Sequence, residues 1–103
     1  MSTERADIER ILPQIAHEAF PEDTDVRWEI RDIKHQADFY CVEAEPVPPT
    51  VGYPRFRFVL GRTKAGVWQD QGCYCLNGKK WDLLYTTPDT SDAWRTLNFD
   101  ETA

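Results

Sequence analysis

Hydrophobic residues near the N-terminus recur at spacings of three and four, which is the period of an α-helix with one buried face. This apolar stripe consists of Ile8, Ile11, Leu12, Ile15, Ala16, Ala19 and Phe20. Ser2 or Thr3 is suited to cap the start of the helix, and Pro21 is suited to end it. Pro13 lies inside the stripe and has no amide hydrogen, so we expect the helix to bend there or to begin a second half there.

From Asp25 onward the pattern alternates between apolar and polar residues, which is typical of strands with one buried face. Five strands are predicted, over Val26–Arg31, Tyr40–Ala44, Arg55–Leu60, Val67–Leu76 and Lys79–Thr87. The proline-rich stretch Glu45–Pro54 is interpreted as an extended connection. Polar residues before Ala93 offer a cap for a short C-terminal helix that carries Trp94 and Leu97.

Two turns determine the expected pairing of the last three strands. Asn77 and Gly78 tolerate positive φ and predict a two-residue hairpin turn. Gly66 fits the left-handed position of a three-residue turn that pairs Thr63 with Val67. With both registers, one face of the sheet collects Phe56, Phe58, Leu60, Trp68, Tyr74, Trp81, Leu83 and Tyr85. A slip of one residue in either loop would reverse the two faces.

The same registers direct Cys73 and Cys75 away from the apolar face, beside Arg57 and Arg55. Gln69, Gln71, Lys80 and Asp82 complete this polar face, and Cys41 lies on the same side by alternation. Nearby cations favour a thiolate over a thiol, so the three cysteines are candidates for redox or metal-responsive chemistry. The simpler interpretation is that they pack as inert strand residues.

Together the elements predict an α+β fold of two layers in a single domain over residues 1–103. A kinked N-terminal helix packs on a five-stranded antiparallel sheet, followed by a short C-terminal helix. This arrangement resembles in outline the cystatin-like and nuclear-transport-factor-like architectures. An architecture alone implies no function.

The composition restricts the class of partner. The net charge of −6 argues against nucleic acid, whose binding needs clustered lysine and arginine. We expect a cytoplasmic protein that does not bind membranes, because no stretch resembles a signal peptide or a membrane span. Basic residues concentrate on the central hairpins, which suits a protein partner or a small anion.

The spacing of metal-binding residue types predicts no metal site and no cofactor. There is no Cys-x-x-Cys pair and no His-x-x-x-His pair among the three cysteines and two histidines. His17 and His35 are therefore interpreted as surface imidazoles. The odd number of cysteines and the aromatic-rich core indicate reduced thiols.

Asp70 is the one carboxyl group expected on the apolar face of the sheet, opposite Tyr85. With Tyr74 it would form a small pocket in which burial shifts a carboxyl pKa, as acid–base catalysis requires. The simpler interpretation is an ordinary hydrogen bond from the Tyr85 hydroxyl. No nucleophile elbow, phosphate loop or dinucleotide motif is present.

The sequence therefore favours a non-enzymatic binding module that holds a protein partner, or a second copy of itself, on the polar sheet face or in the pocket between helix and sheet. The expected binding residues are Arg55, Arg57, Gln69, Gln71, Lys80, Asp82 and an exposed Trp94. One alternative is a thiol-based redox or metal-responsive protein that uses Cys73 and Cys75 with Cys41. The other is a small enzyme built around Asp70.

Overall fold

A computed structural model describes residues 3–22, 25–48, 54–87 and Trp94. Within these residues the chain forms one helix and five strands: α1 Thr3–Ala19, β1 Arg27–Gln36, β2 Phe39–Val47, β3 Phe56–Arg62, β4 Trp68–Asn77 and β5 Lys80–Thr86. The strands form one open antiparallel sheet in the order β1-β2-β3-β4-β5. The predicted α+β class and antiparallel sheet are confirmed. The predicted C-terminal helix lies outside the described residues, apart from Trp94.

α1 runs without a break through Pro13, so the helix does not begin a second half there. Pro13 faces solvent, where water can satisfy the carbonyl group that its missing amide hydrogen leaves open. The helix ends as expected before Pro21, and the Phe20 amide donates a hydrogen bond to the Ala16 carbonyl at 2.8 Å. The bend at Pro13 stays a prediction.

The buried side of α1 packs on one face of the sheet, which we call the core face. Ile8, Leu12 and Ala16 are fully buried there, as the predicted stripe requires. They meet buried residues of β2, β3 and β4, namely Tyr40, Val42, Ala44, Phe56, Phe58, Leu60, Cys73 and Cys75. Burial of such side chains is the main stabilising contribution in a domain of this size.

The predicted turn between β3 and β4 is confirmed. The Thr63 amide donates to the Val67 carbonyl at 2.9 Å, and the Gly66 amide donates to the Thr63 carbonyl at 2.9 Å. Gly66 has a φ of 84°, the left-handed conformation that the turn demands. The first pairs after the turn, from Arg62 with Trp68 onward, also follow the predicted register.

A β-bulge then changes the register of β4. Gln71 is the extra residue, between the pairs that Asp70 and Gly72 form with β3. Since side chains alternate between faces, one extra residue turns every later side chain to the opposite face. Cys73 and Cys75 therefore lie on the core face, and the expectation that they point away from the core is wrong.

The hairpin between β4 and β5 differs from its predicted form as well. Asn77 pairs with Lys80, so Gly78 and Lys79 form the turn instead of Asn77 and Gly78. Gly78 supplies the positive φ, 65°, at the first turn position. The register is displaced by two residues from the expected pairing.

Leu84 is the extra residue of a second bulge, on β5, where Tyr85 pairs with Cys73 and Leu83 pairs with Tyr74. Tyr85 consequently packs against the core as predicted. Tyr74, Trp81 and Leu83 lie on the opposite face, which we call the outer face, and their predicted core positions are wrong.

The outer face is covered in part by Trp94. A Cβ atom at Gly72 would lie 2.7 Å from the indole of Trp94, and the rings of Tyr74 and Trp94 meet edge to face at 5.7 Å. Trp94 is only 1% exposed, so the prediction that its side chain is exposed is wrong. The missing side chain of Gly72 makes room for this indole.

Candidate functional site

The arginines predicted to surround the thiols are engaged on the outer face by carboxylates. Arg55 contacts Glu43 at 3.1 Å and Glu45 at 2.8 Å, and Arg57 contacts Glu43 at 3.3 Å. The guanidinium of Arg57 also lies 4.1 Å from the ring centre of Trp81. These contacts neutralise the arginine charges, which removes the basis for a small-anion site at Arg55 and Arg57.

The other predicted binding residues do not form one surface. Gln69 and Lys80 are exposed, whereas Gln71 is buried. Asp82 accepts a hydrogen bond from the Asn77 side chain at 3.1 Å. The polar face predicted from alternation is divided by the bulge at Gln71.

All three cysteines are buried as free thiols. Cys73 and Cys75 face the core, and Cys41 lies on the outer face beside Val59. Burial raises the pKa of the Cys73 thiol, and the Asp70 charge raises it further. A buried neutral thiol is a poor nucleophile, so the geometry that motivated the redox alternative is absent.

No group of three or more histidine, cysteine or acidic side chains in the described ranges is arranged to hold a metal ion. His35 stacks on Tyr40 with ring centres 4.1 Å apart, and His17 is exposed on α1.

A cavity of about 440 Å³ lies between α1 and the start of β4. The helix contributes Arg10, Ile11, Gln14, Ile15 and Glu18 to its walls. The sheet contributes Trp68 and Asp70, which lie two residues apart on the core side of β4, and the preceding turn closes one end with Gly66 and Val67.

Asp70 has one satisfied and one unsatisfied carboxyl oxygen. The Tyr85 hydroxyl donates to Asp70 Oδ2 at 2.7 Å, which confirms the hydrogen bond expected from the sequence. Asp70 Oδ1 is buried and has no hydrogen-bond partner among the residues that the structure describes. Tyr74, the third member of the predicted pocket, lies on the outer face and does not join this site.

Burial raises the pKa of the Asp70 carboxyl from its ordinary value of 3.8 to about 6. The hydrogen bond from Tyr85 lowers the pKa, the nearby Gly72 amide lowers it further, and the charge of Glu18 raises it. Burial also raises the pKa of the Tyr85 hydroxyl, and the Asp70 charge adds to that effect. Tyr85 therefore stays protonated and acts as a donor.

Trp68, which also lines the cavity, has a second unsatisfied polar atom. Its indole Nε1 is buried without a hydrogen-bond partner in the described part of the chain. The ring is held in place, since Tyr40 meets it edge to face at 5.0 Å and the Arg62 guanidinium lies 4.8 Å from its centre. The indole N–H is therefore a fixed donor.

The charges that line the cavity are unbalanced. Arg10 forms an ion pair with Asp7 at 3.2 Å, so its charge is already compensated. Neither Asp70 nor Glu18 has an ion pair within residues 3–22, 25–48 and 54–87. The cavity carries two uncompensated carboxyl groups.

Sequence reasoning found Asp70 and Tyr85 and missed the other members of this site. Gln14 and Glu18 flank the apolar stripe of α1, and nothing in the local pattern indicates which strand that flank will approach. Trp68 was placed correctly toward the core, but the missing partner of its N–H depends on tertiary packing.

No protein-family model, curated protein or solved structure matches this chain. In the part of the chain that the structure describes, no helix is long and apolar enough to cross a membrane.

Proposed function

We propose that the protein is a binding module that holds a small molecule in the cavity between α1 and β4. The observation that carries the proposal is that two residues lining the cavity, Asp70 and Trp68, each have a buried polar atom, Oδ1 and Nε1, that lacks a partner among the described residues. An unsatisfied buried polar group costs about 1–3 kcal/mol. A ligand that pairs with both atoms would remove that cost.

The dimensions and lining of the cavity support this proposal. Its volume of about 440 Å³ lies in the range of roughly 300–1,000 Å³ that small-molecule sites occupy. Ile11 and Ile15 supply apolar walls. The few polar groups among the lining residues can fix the orientation of a bound ligand. Two further cavities that α1 helps to line, within the described residues, are smaller, at about 380 and 310 Å³.

A fragment titration followed by ¹H–¹⁵N NMR tests the proposal. Small amines, amides and carboxylates at millimolar concentration should include at least one that shifts the Trp68 indole N–H signal in a saturable manner. The Trp81 indole on the outer face is the internal control and should not move. The proposal is overturned if no fragment shifts the Trp68 signal, or if shifts are as large at Trp81.

An acid–base enzyme built around Asp70 is the second candidate. A carboxyl pKa of about 6 is close to neutral pH, where a general acid or base works best. If the protein is an enzyme, a bound fragment should be converted and new product signals should appear in the same titration. Asp70→Asn should stop the conversion while fragment binding persists.

A protein partner, self-association and a cytoplasmic location stay predictions, as does the cystatin-like or nuclear-transport-factor-like outline. The burial of Cys41, Cys73 and Cys75 favours a structural role for these thiols over the redox alternative, because buried thiols are poor nucleophiles.

A further inference from the structure

We infer that the ligand of the cavity is a small organic cation, a protonated amine on an apolar body, with its ammonium group placed between Asp70 and Glu18. This inference rests on the proposed function, because it names the ligand class of the same cavity.

The charges of the lining residues select a cation. Asp70 and Glu18 have no cationic partner among the described residues, and Arg10 is paired with Asp7. An anionic ligand would meet two carboxyl groups and no free positive charge. An ammonium group supplies three donors, which suffices for both carboxyl groups, and such charge-assisted bonds are about twice as strong as neutral ones.

The hydrogen bond from Tyr85 leaves one acceptor position for that ammonium group. The tyrosine hydroxyl occupies Asp70 Oδ2 at 2.7 Å and orients the carboxyl plane. Asp70 Oδ1 is then the acceptor that the protein does not use among its described residues.

The remaining walls indicate the rest of the ligand. Ile11, Ile15 and the ring of Trp68 form apolar surface beside the acidic end. The Trp68 N–H adds one donor, which suits a single hydroxyl or carbonyl oxygen on an otherwise apolar body. A highly polar cation would leave these apolar walls in contact with polar groups.

Binding requires a small adjustment of the cavity wall. Asp70 Oδ1 and Trp68 Nε1 are both shielded from bulk solvent. Gln14 and Glu18 are exposed side chains at the rim, and changes of rotamer are common when a site binds its partner. We expect binding to change the rotamers of these two side chains and to leave the backbone in place.

The inference also predicts a pH dependence. Glu18 of α1, Tyr85 of β5 and Cys73 of β4 are the titratable groups that act on Asp70. Burial raises the pKa values of Tyr85 and Cys73, so these two groups stay neutral near pH 7. Asp70 is the group that gains a proton as the pH falls through about 6, and its negative charge is then lost.

Benzylamine and benzyl alcohol test the inference, since they have nearly the same shape and differ in charge. Their dissociation constants are measured on the full chain from the Trp68 indole N–H shift. Benzylamine should bind about tenfold more tightly or better. Its affinity should fall below pH 6, whereas the affinity of benzyl alcohol should not change.

Two variants that change the net charge equally provide the control. Asp70→Asn should abolish the preference for benzylamine, and Glu9→Gln, an exposed position on α1 outside the cavity, should retain it. Equal binding of the two probes, or an unchanged preference in Asp70→Asn, would overturn the inference while the proposed function stands. If neither probe nor any fragment shifts the Trp68 signal, both are overturned.

Discussion

At the scale of single residues, the surroundings of the Asp70 carboxyl group oppose its charge. The group is partly buried, and the charge of Glu18 opposes a second negative charge beside it. Among the described residues, Tyr85 is the one whose side chain donates a hydrogen bond to it. Burial raises its pKa to about 6 because water stabilises a carboxylate better than this cavity does. Charged groups kept where they destabilise the fold are frequent at binding and catalytic sites.

Asp70→Asn should therefore stabilise the protein at pH 7. The folded pKa of about 6 lies above the ordinary value of 3.8, so the folded chain binds the proton more tightly than the unfolded chain. The stabilising contribution of the Asp70 carboxyl group is therefore largest below about pH 4 and is lost as the pH rises through about 6. With allowance for its partial exposure, this loss is on the order of 2 kcal/mol. Asparagine keeps an acceptor for Tyr85 and carries no charge.

Urea unfolding of Asp70→Asn and wild type at neutral and acidic pH measures this effect. The variant should be more stable by about 1–2 kcal/mol at pH 7, and the difference should shrink as wild type becomes protonated. A variant that is less stable at pH 7, or a difference that does not depend on pH, would contradict the account.

At the scale of elements, the number and order of the strands and the β3–β4 turn followed from the sequence, while the two bulges did not. β1 and β2 extend to Gln36 and Val47, past their predicted ends at Arg31 and Ala44, so the start of the predicted connection Glu45–Pro54 belongs to β2. The alternation of apolar and polar residues that predicts a strand can be recognised from a few neighbouring residues, and so can the glycine that predicts the turn at Gly66. A bulge adds one residue and reverses every later side chain, and its position depends on packing across the sheet. The available signal was Gly72, since a glycine inside a strand often marks a bulge or a close approach.

The candidate site was predicted only in part for the same reason. Asp70 and Tyr85 lie on strands whose faces could be inferred, and their hydrogen bond survived the change of register because a tyrosine side chain is long. The contribution of Gln14 and Glu18 depends on how α1 crosses the sheet, which no local pattern encodes.

Gly72→Ala should destabilise the fold, because its methyl group would lie 2.7 Å from the Trp94 ring and 2.9 Å from the Tyr85 carbonyl oxygen. Overpacking of this kind costs about 1–3 kcal/mol. Gly61→Ala on β3 is the matched control, since its methyl group would approach only the flexible end of Gln71, at 3.1 Å. Chemical unfolding that shows equal losses for the two variants would contradict the position of Trp94.

At the scale of the whole molecule, the two faces of the sheet carry charge differently. The outer face holds a row of four arginines and three glutamates joined by ion pairs across β1, β2 and β3, namely Arg27, Arg31, Arg55, Arg57, Glu29, Glu43 and Glu45. The hydrogen bond from Arg31 lowers the pKa of Glu45. Four arginines and three glutamates give this row a net charge of +1. The net charge of −6 therefore arises elsewhere in the chain and attracts cations from solution.

Glu43→Gln should lower stability more than Glu9→Gln, although both remove one negative charge from an ion pair. The Arg57–Glu43 pair is largely buried, with side chains 13% and 16% exposed, whereas those of the Arg5–Glu9 pair are 52% and 54% exposed. Exposed pairs contribute about 0–1 kcal/mol, and loss of a partner costs more where a charge is shielded from water. Thermal unfolding measures the two melting temperatures. An equal decrease in both variants would contradict a stabilising contribution of the ion-paired row on the outer face.

The central claim is that Asp70 presents a buried, incompletely hydrogen-bonded carboxyl group to a ligand cavity. Titration of the Asp70 carboxyl carbon by ¹³C NMR tests it most directly, with the Asp70→Asn spectrum used to assign the signal. The account predicts a midpoint of about 6 for the protein without added ligand. A midpoint at or below the ordinary value of 3.8 would show a well-solvated or fully paired carboxylate and would contradict the account.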